Sequence, residues 1–245
     1  MQAADWHALY LEQAQWTKLL RQYILNNLPI QPNWMVCEFG CGTGAVLQDL
    51  SGTFGHAVGL DLDLNVLSFQ DTGKPFLVNA NAYNPPFQEN TFDLIVCHYF
   101  LLWLSDPLAV LRTAKNMLKS GGYLAIFAEP DYASRRALPE SMKKLAILQN
   151  RSLMAQGANL EIGRELGQLF NSSGFSMLEY GSIKEESKHA QLLSTSEKNV
   201  LRADWKFLEQ RAEAEITLEE LETLMMDVPD RWYVPTYYAL AQIKK

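Results

Sequence analysis

The chain has 245 residues, 48% hydrophobic and 20% charged, with 21 Lys and Arg against 28 Asp and Glu for a net charge of −7. That balance suits a globular chain with a packed core and excludes a disordered or fibrous one. Its acidity argues against a surface that grips nucleic acid or an anionic membrane.

No run approaches the ~18 consecutive apolar residues that a bilayer span requires, and the first 30 residues lack a basic start followed by an apolar block. We therefore expect a cytoplasmic protein without membrane insertion. Cys37, Cys41 and Cys97 are odd in number and have no downstream Cys/His set at zinc-ligand spacing, so they read as reduced, structural thiols, with no metal site.

Residues 5–28 carry Trp6, Leu9, Tyr10, Trp16, Leu19, Leu20, Tyr23 and Ile24 at spacings of three, four and seven, which predicts an amphipathic helix ending at Asn26-Asn27-Leu28-Pro29. Short apolar runs then alternate with helical stretches. Strands are predicted at 34–39, 57–60, 76–78, 92–97 and 122–128, with helices at roughly 44–50, 64–70 and 106–118. Strands that are apolar throughout are buried on both faces, as in a parallel sheet covered by helices. The fold class is therefore α/β, a doubly wound sheet whose ligand belongs at the carboxyl ends of the strands. Further on, helices are expected near 138–155 and 162–171, a strand at 176–183, two helices within 194–227 and a closing strand at 233–243. The acidic run Glu209–Glu222 reads as a solvated face. No internal repeat or low-complexity tract interrupts the pattern.

The first predicted strand runs directly into Gly40-Cys41-Gly42-Thr43-Gly44, a turn whose bare backbone lets a nucleotide-like ligand approach. Two chemistries compete for it. Gly40-x-Gly42-x-x-Ala45, with Asp61 about twenty residues on, satisfies the dinucleotide fingerprint. Against that, Gly44 is a third glycine at alternate spacing, residues 79–98 form a second ligand-like segment, and Glu38 precedes the turn. A carboxylate there would repel a pyrophosphate and attract an ammonium group.

Taken together, Glu38–Gly44, Gly59-Leu60-Asp61, Pro86-Phe87 with Phe92-Asp93-Leu94-Ile95-Val96, and Leu118-Lys119-Ser120-Gly121-Gly122 resemble a class I S-adenosylmethionine-dependent methyltransferase of the small-molecule, ubiquinone-biosynthesis-like branch. The resemblance covers roughly residues 30–130. It implies a mostly parallel seven-stranded sheet with an antiparallel final strand, an N-terminal helical lid over 1–30, a cofactor-binding core over 31–132, and a C-terminal half over 133–245. That half would carry an inserted helical cap around 133–160 and 190–228. The implied cofactor is S-adenosylmethionine, with S-adenosylhomocysteine as product and a small, aromatic or hydrophobic acceptor.

Residue by residue, the resemblance places Gly40, Cys41, Gly42 and Gly44 beneath the methionine portion, Glu38 near its amino group, and Asp61 on the ribose hydroxyls. Leu62 would pack on adenine. Asn81 and Ala82 would read the adenine edge, with Asn81 standing where the family usually has Asp. His98 would line the methionine side. Asp61 as a helix cap, Asn81 as a plain turn residue and His98 as packing are the competing structural roles.

Asn84-Pro85-Pro86-Phe87 spells an amine-clamping tetrapeptide, but it precedes the fourth strand instead of following it, so it reads as a rigid turn. Cys97-His98 stands where catechol-type enzymes have a metal-binding aspartate. Methyl transfer is an in-line displacement, served by positioning, exclusion of water and, for a hydroxyl acceptor, a base. Candidates for the catalytic role are His98, Glu129 and Tyr132, with Tyr99 and Asp131 beside them. Glu129 could instead cap a helix or pair with Arg135, while Arg135 and Arg136 could simply be solvated. Tyr99, Phe100 and Trp103 offer surface for a flat acceptor, and Tyr10, Trp16 and Thr17 could close over the cofactor. A nicotinamide-dependent oxidoreductase and a non-catalytic cofactor-binding scaffold are the alternative functions.

Overall fold

The computed structural model describes residues 3–69, 76–137, 140–183, 191–226, 229–230 and 232–243. Seven strands form the central sheet: β1 (Met35–Phe39), β2 (His56–Asp61), β3 (Phe76–Asn79), β4 (Phe92–His98), β5 (Leu118–Pro130), β6 (Ser176–Ile183) and β7 (Thr236–Gln242). Their order is β3-β2-β1-β4-β5-β7-β6. The first five pair in parallel, while β7 runs antiparallel to both β5 and β6. Strand order reverses beside β1, so the carboxyl ends of β1 and β4 open a crevice there.

The apolar strands divide their side chains between two cores, because successive residues point to opposite faces. Cys37, Phe39, Ile95, Cys97, Leu124 and Ile126 pack on one side; Val36, Leu94, Val96, Ala125 and Phe127 pack on the other. Helices α5 (Pro107–Met117) and α7 (Ile162–Ser173) cover the first face through Val110, Leu111, Ile162, Leu166 and Phe170. Helices α2 (Lys18–Asn26) and α3 (Ala45–Ser51) cover the second through Ile24, Val46, Leu47 and Leu50. Asp106 starts α5 by accepting a hydrogen bond from the Ala109 amide at 3.0 Å, with Pro107 in the first turn.

A third apolar cluster lies in the cap. Met142, Leu145 and Leu148 of α6 (Glu140–Ala155) pack with Leu201 and Leu208 of α8 (Thr195–Glu209) and with Leu221 and Met225 of α9 (Leu218–Met226). A capping box between Ser194 and Glu197 fixes the start of α8. The acidic run is more than a solvated face: Glu222 pairs with Arg202 at 2.6 and 2.8 Å, and Glu215 pairs with Arg151.

Three expected boundaries shift. The single N-terminal helix is two, α1 (Ala3–Trp16) and α2, broken at Thr17, whose ψ of 3° leaves the helical range. The helix expected over 64–70 is the four-residue α4 (Leu64–Leu67), and residue 70 lies outside the described residues. The last strand starts at Thr236 because Trp232–Tyr233 pairs instead with Arg136–Ala137. The expected helix ends at 138 and 227 also lie outside the described residues. Among those described, no helix is long and apolar enough to cross a membrane.

Candidate functional site

A cavity of about 700 Å³ opens at the carboxyl ends of β1, β2 and β4. Tyr10, Glu38, Gly40, Cys41, Gly42, Asp61, Leu62, Asn81, Ala82, His98 and Tyr132, all singled out in the sequence, line it together. Gly44 and Glu129 belong to its supporting frame.

The turn after β1 needs its glycines. Gly40, Gly42 and Gly44 have φ of 70°, 53° and 81°, the left-handed region that side chains with a Cβ resist. Close approach adds a second demand: a Cβ on Gly40 would fall 2.1 Å from the Phe100 ring, and one on Gly42 would fall 2.7 Å from the Tyr10 ring. Gly44 ends the turn, its amide bonded to the Cys41 carbonyl at 2.8 Å, and begins α3.

Asp61, at the end of β2, is held to this turn from both sides. Its Oδ2 accepts from the Gly42 amide at 2.8 Å, and its Oδ1 accepts from the Asp63 amide at 2.9 Å. The helix cap is a different residue, Asp63, which accepts from the Asn65 amide. Burial raises the Asp61 pKa, and the two amides oppose that shift.

Glu38 is buried, and its Oε2 has no hydrogen-bond partner among the described residues. Burial drives its pKa well above the carboxylate range, against the attraction of Arg21 and a bond from the Leu47 backbone. An orphaned buried carboxylate oxygen beside a bare-backbone turn is a place for a cation.

Next to Asp61, Leu62 is 68% exposed and presents apolar surface to the cavity. Asn81 lines the cavity and folds into a local turn, its Oδ1 accepting from the Tyr83 amide at 3.0 Å. Phe87 packs edge-on against Phe92 at 5.1 Å, in keeping with a rigid-turn role for the proline segment.

At the end of β4, His98 is buried and its Nε2 lies 2.9 Å from the Thr17 hydroxyl. Arg21 donates to that hydroxyl at 2.6 Å, to the Ala14 carbonyl at 2.6 Å and to Asp49 at 2.5 Å. The Thr17 oxygen thus accepts from a cation and has one proton to give. The alternatives, the Gln13 and Ala14 carbonyls, are 3.3 and 3.4 Å away, so the shorter contact takes it. His98 Nε2 is then an acceptor and Nδ1 carries the ring proton. Burial and the nearby Arg21 lower the His98 pKa to about 3, which keeps the ring neutral. Tyr99 follows with φ of 52°, a backbone strain held at the rim of the cavity.

The acidic candidates at the end of β5 are both held by hydrogen bonds within the protein. Glu129 accepts from the Phe100 and Leu101 amides at 2.9 and 2.8 Å and from Leu102 at 3.2 Å, capping the short turn Leu101–Trp103. Burial raises its pKa to about 7 in spite of these bonds. Asp131 forms a two-pronged pair with Arg164, both contacts at 2.7 Å. Arg135 is not simply solvated: its guanidinium lies 4.8 Å over the Tyr132 ring and donates to Gln149 at 2.6 Å. Arg136 is exposed.

Helix α1 lines the cavity with Trp6, Leu9, Tyr10, Gln13 and Trp16, and Gln149 of α6, Gln156 just after it and Asp204 of α8 line it too. Sequence reasoning missed Asp204 and Arg21. Both interrupt an apolar stripe, Asp204 between Leu201 and Leu208, and Arg21 just before Ile24; that interruption was the available signal. The three cysteines are free and buried. Among the described residues no group of three His, Cys, Asp or Glu side chains could hold a metal ion.

Residues 37–126 match the family described as a methyltransferase domain. A demethylmenaquinone methyltransferase of Corynebacterium urealyticum is 31% identical over 109 residues, 44% of this chain and 47% of that protein. A trans-aconitate 2-methyltransferase of Deinococcus radiodurans is 33% identical over 115 residues, 45% of each. The chain thus spans about half the length of these curated relatives. Among solved structures, the methyltransferase bound to the Trm112 activator of Haloferax volcanii covers 99% of this chain and 96% of its own, with a TM-score of 0.62 at 18% identity. The [4+2]-cyclase SpnF covers 92% and 80%, with a TM-score of 0.61 at 15% identity.

Residues 37–126 thus resemble a methyltransferase domain, and the seven-stranded α/β sheet is the fold that the similar solved structures share. A cyclase on the same frame means that the chemistry has to be argued from the site.

Proposed function

We propose that the protein transfers a methyl group from S-adenosylmethionine to a small, aromatic or hydrophobic acceptor. The observation that carries this reading is the pairing of two carboxylates across one glycine turn: Glu38, buried with an orphaned oxygen, and Asp61, clamped by the Gly42 and Asp63 amides. The first suits an ammonium group and the second a pair of ribose hydroxyls. Asp61 would serve a dinucleotide's ribose as well, so Glu38 makes the distinction: its orphaned acid group suits an ammonium, not a pyrophosphate. Leu62 and the Asn81 amide would take the adenine, and His98 would border the methionine side.

When bound, the cofactor supplies a methyl group on an electrophilic sulfonium. The chain supplies enclosure and alignment. Tyr10 and Phe100 lie on the glycine turn, and Trp16, Tyr99, Trp103 and Tyr132 line the same cavity with apolar surface, which excludes water from a displacement between aligned groups. His98 has its Nε2 engaged by Thr17, so it serves as a neutral hydrogen-bond donor through Nδ1 and not as a base. Glu129 acts as a positioning residue, holding the turn that places Phe100.

Calorimetric titration with S-adenosylhomocysteine and, separately, NADH tests the reading. Binding of S-adenosylhomocysteine alone is expected, and Asp61→Ala should weaken it by roughly 1–3 kcal/mol through lost charge-assisted hydrogen bonds. Binding of NADH alone would overturn the assignment, and unchanged affinity in the variant would move the ribose contact elsewhere.

A further inference from the structure

The cap wall of the cavity holds a polar network that the cofactor site does not use. Asp204, on the buried stripe of α8, is 6% exposed and lines the cavity. Its Oδ1 accepts from the Ser152 hydroxyl of α6 at 2.7 Å, and the Gln149 side chain supports the same carboxylate. Gln156 donates to the Ser152 hydroxyl at 2.9 Å, and the Gln149 carbonyl oxygen takes the bond from Arg135. Asp204 Oδ2 is buried and has no partner among the described residues.

Such a network is expensive in an otherwise apolar cap. Leu201 and Leu208 flank Asp204 on the buried stripe of α8 and pack with Met142 and Leu145 of α6, and an apolar residue at 204 would complete the stripe without an orphaned atom. The group that completes it must donate a hydrogen bond. An anion is excluded by the carboxylate. A cation is disfavoured by Arg135, which is tied to the same Gln149 and fixed over Tyr132. A neutral hydroxyl remains, and the aromatic lining supplied by Trp16, Trp103 and Tyr132 suits one carried on a flat ring.

We infer that Asp204 is the anchor of an acceptor subsite in the helical cap, where its free carboxylate oxygen binds a phenolic hydroxyl of the acceptor. The inference rests on the proposed transfer reaction for its meaning, but the subsite itself can be probed without turnover. Burial raises the Asp204 pKa to about 7, so the carboxylate is available as an acceptor at and above neutral pH.

Ligand-observed NMR titrations at pH 8 with 2-naphthol, 2-methoxynaphthalene and 2-naphthylmethylammonium, with and without S-adenosylhomocysteine, test it. The wild-type protein is expected to bind the naphthol at least tenfold more tightly than the ether or the cation. Asp204→Leu should erase that preference while leaving S-adenosylhomocysteine affinity and the melting temperature intact or higher, because the orphaned charge is gone. If the leucine variant does not fold, Asp204→Asn should reduce the preference at least fivefold. An unchanged preference in the folded variant, no preference in the wild type, or unfolding of both variants would overturn the subsite and leave Asp204 a structural residue. Failure of S-adenosylhomocysteine to bind, with the naphthol preference intact, would instead strike the cofactor reading alone.

Discussion

Glu38 shows how far one buried side chain can carry a functional argument. Its position two residues before the glycine turn was legible in the sequence, as was Asp61 at the end of the next strand. What the sequence could not show is that Glu38 keeps an oxygen unsatisfied, since that depends on Arg21 and α2 folding in behind it. Arg21 and Asp204 left a fainter mark: each only interrupts a helix stripe where periodicity expects an apolar residue, and what it binds depends on the folded neighbours. A carboxyl held protonated by burial and then met by an ammonium group gives up its proton. Binding of S-adenosylhomocysteine should therefore release protons wherever the free protein holds that proton, seen as a buffer-dependent enthalpy in calorimetry, and should tighten as pH rises. Glu38→Gln is expected to abolish the buffer dependence and weaken binding by about 1–3 kcal/mol. Buffer-independent binding by the wild type would place the ammonium elsewhere.

At the scale of elements, the strands were legible because a parallel sheet buried on both faces writes itself as continuous apolar runs, as in Phe92–His98. The break at Thr17 was not, because the apolar spacing continues straight through it. It is set by tertiary contacts, with the Thr17 hydroxyl bound by Arg21 and shared with His98. The turn Leu101–Trp103 is likewise a tertiary product. It is too short to persist on its own, and among the described residues Glu129 is what satisfies its three leading amides. Glu129→Ala would leave these donors buried without partners, at about 1–3 kcal/mol each if unrelieved. We expect urea unfolding to show a loss of at least about 3 kcal/mol, together with weaker cofactor binding as Phe100 leaves Gly40. A variant of wild-type stability that has lost only turnover would make Glu129 a catalytic group after all.

For the molecule as a whole, the same buried acids that furnish the site set how stability depends on pH. Glu129 and Asp204 have pKa values raised to about 7, mainly by burial, and Glu38 is raised in the same direction. An acid whose pKa is higher in the folded state than in the unfolded chain binds more protons when folded. Stability is then lost as pH climbs from the ordinary carboxylate range to the folded value. His98 works the other way, since its lowered pKa makes folding more favourable as pH rises from about 3 towards 6.5, beyond which it contributes no slope. Between pH 6.5 and 8 the acids act unopposed by it. Differential scanning fluorimetry across pH 5 to 8 should show the double variant Glu129→Gln, Asp204→Asn gaining on the wild type as pH rises to about 7 and levelling off above it. A constant gap between the two proteins would mean that neither carboxyl holds its proton near neutrality. Both would then be ionised throughout that range, and Asp204 would be ready to accept a ligand's hydroxyl at every pH tested.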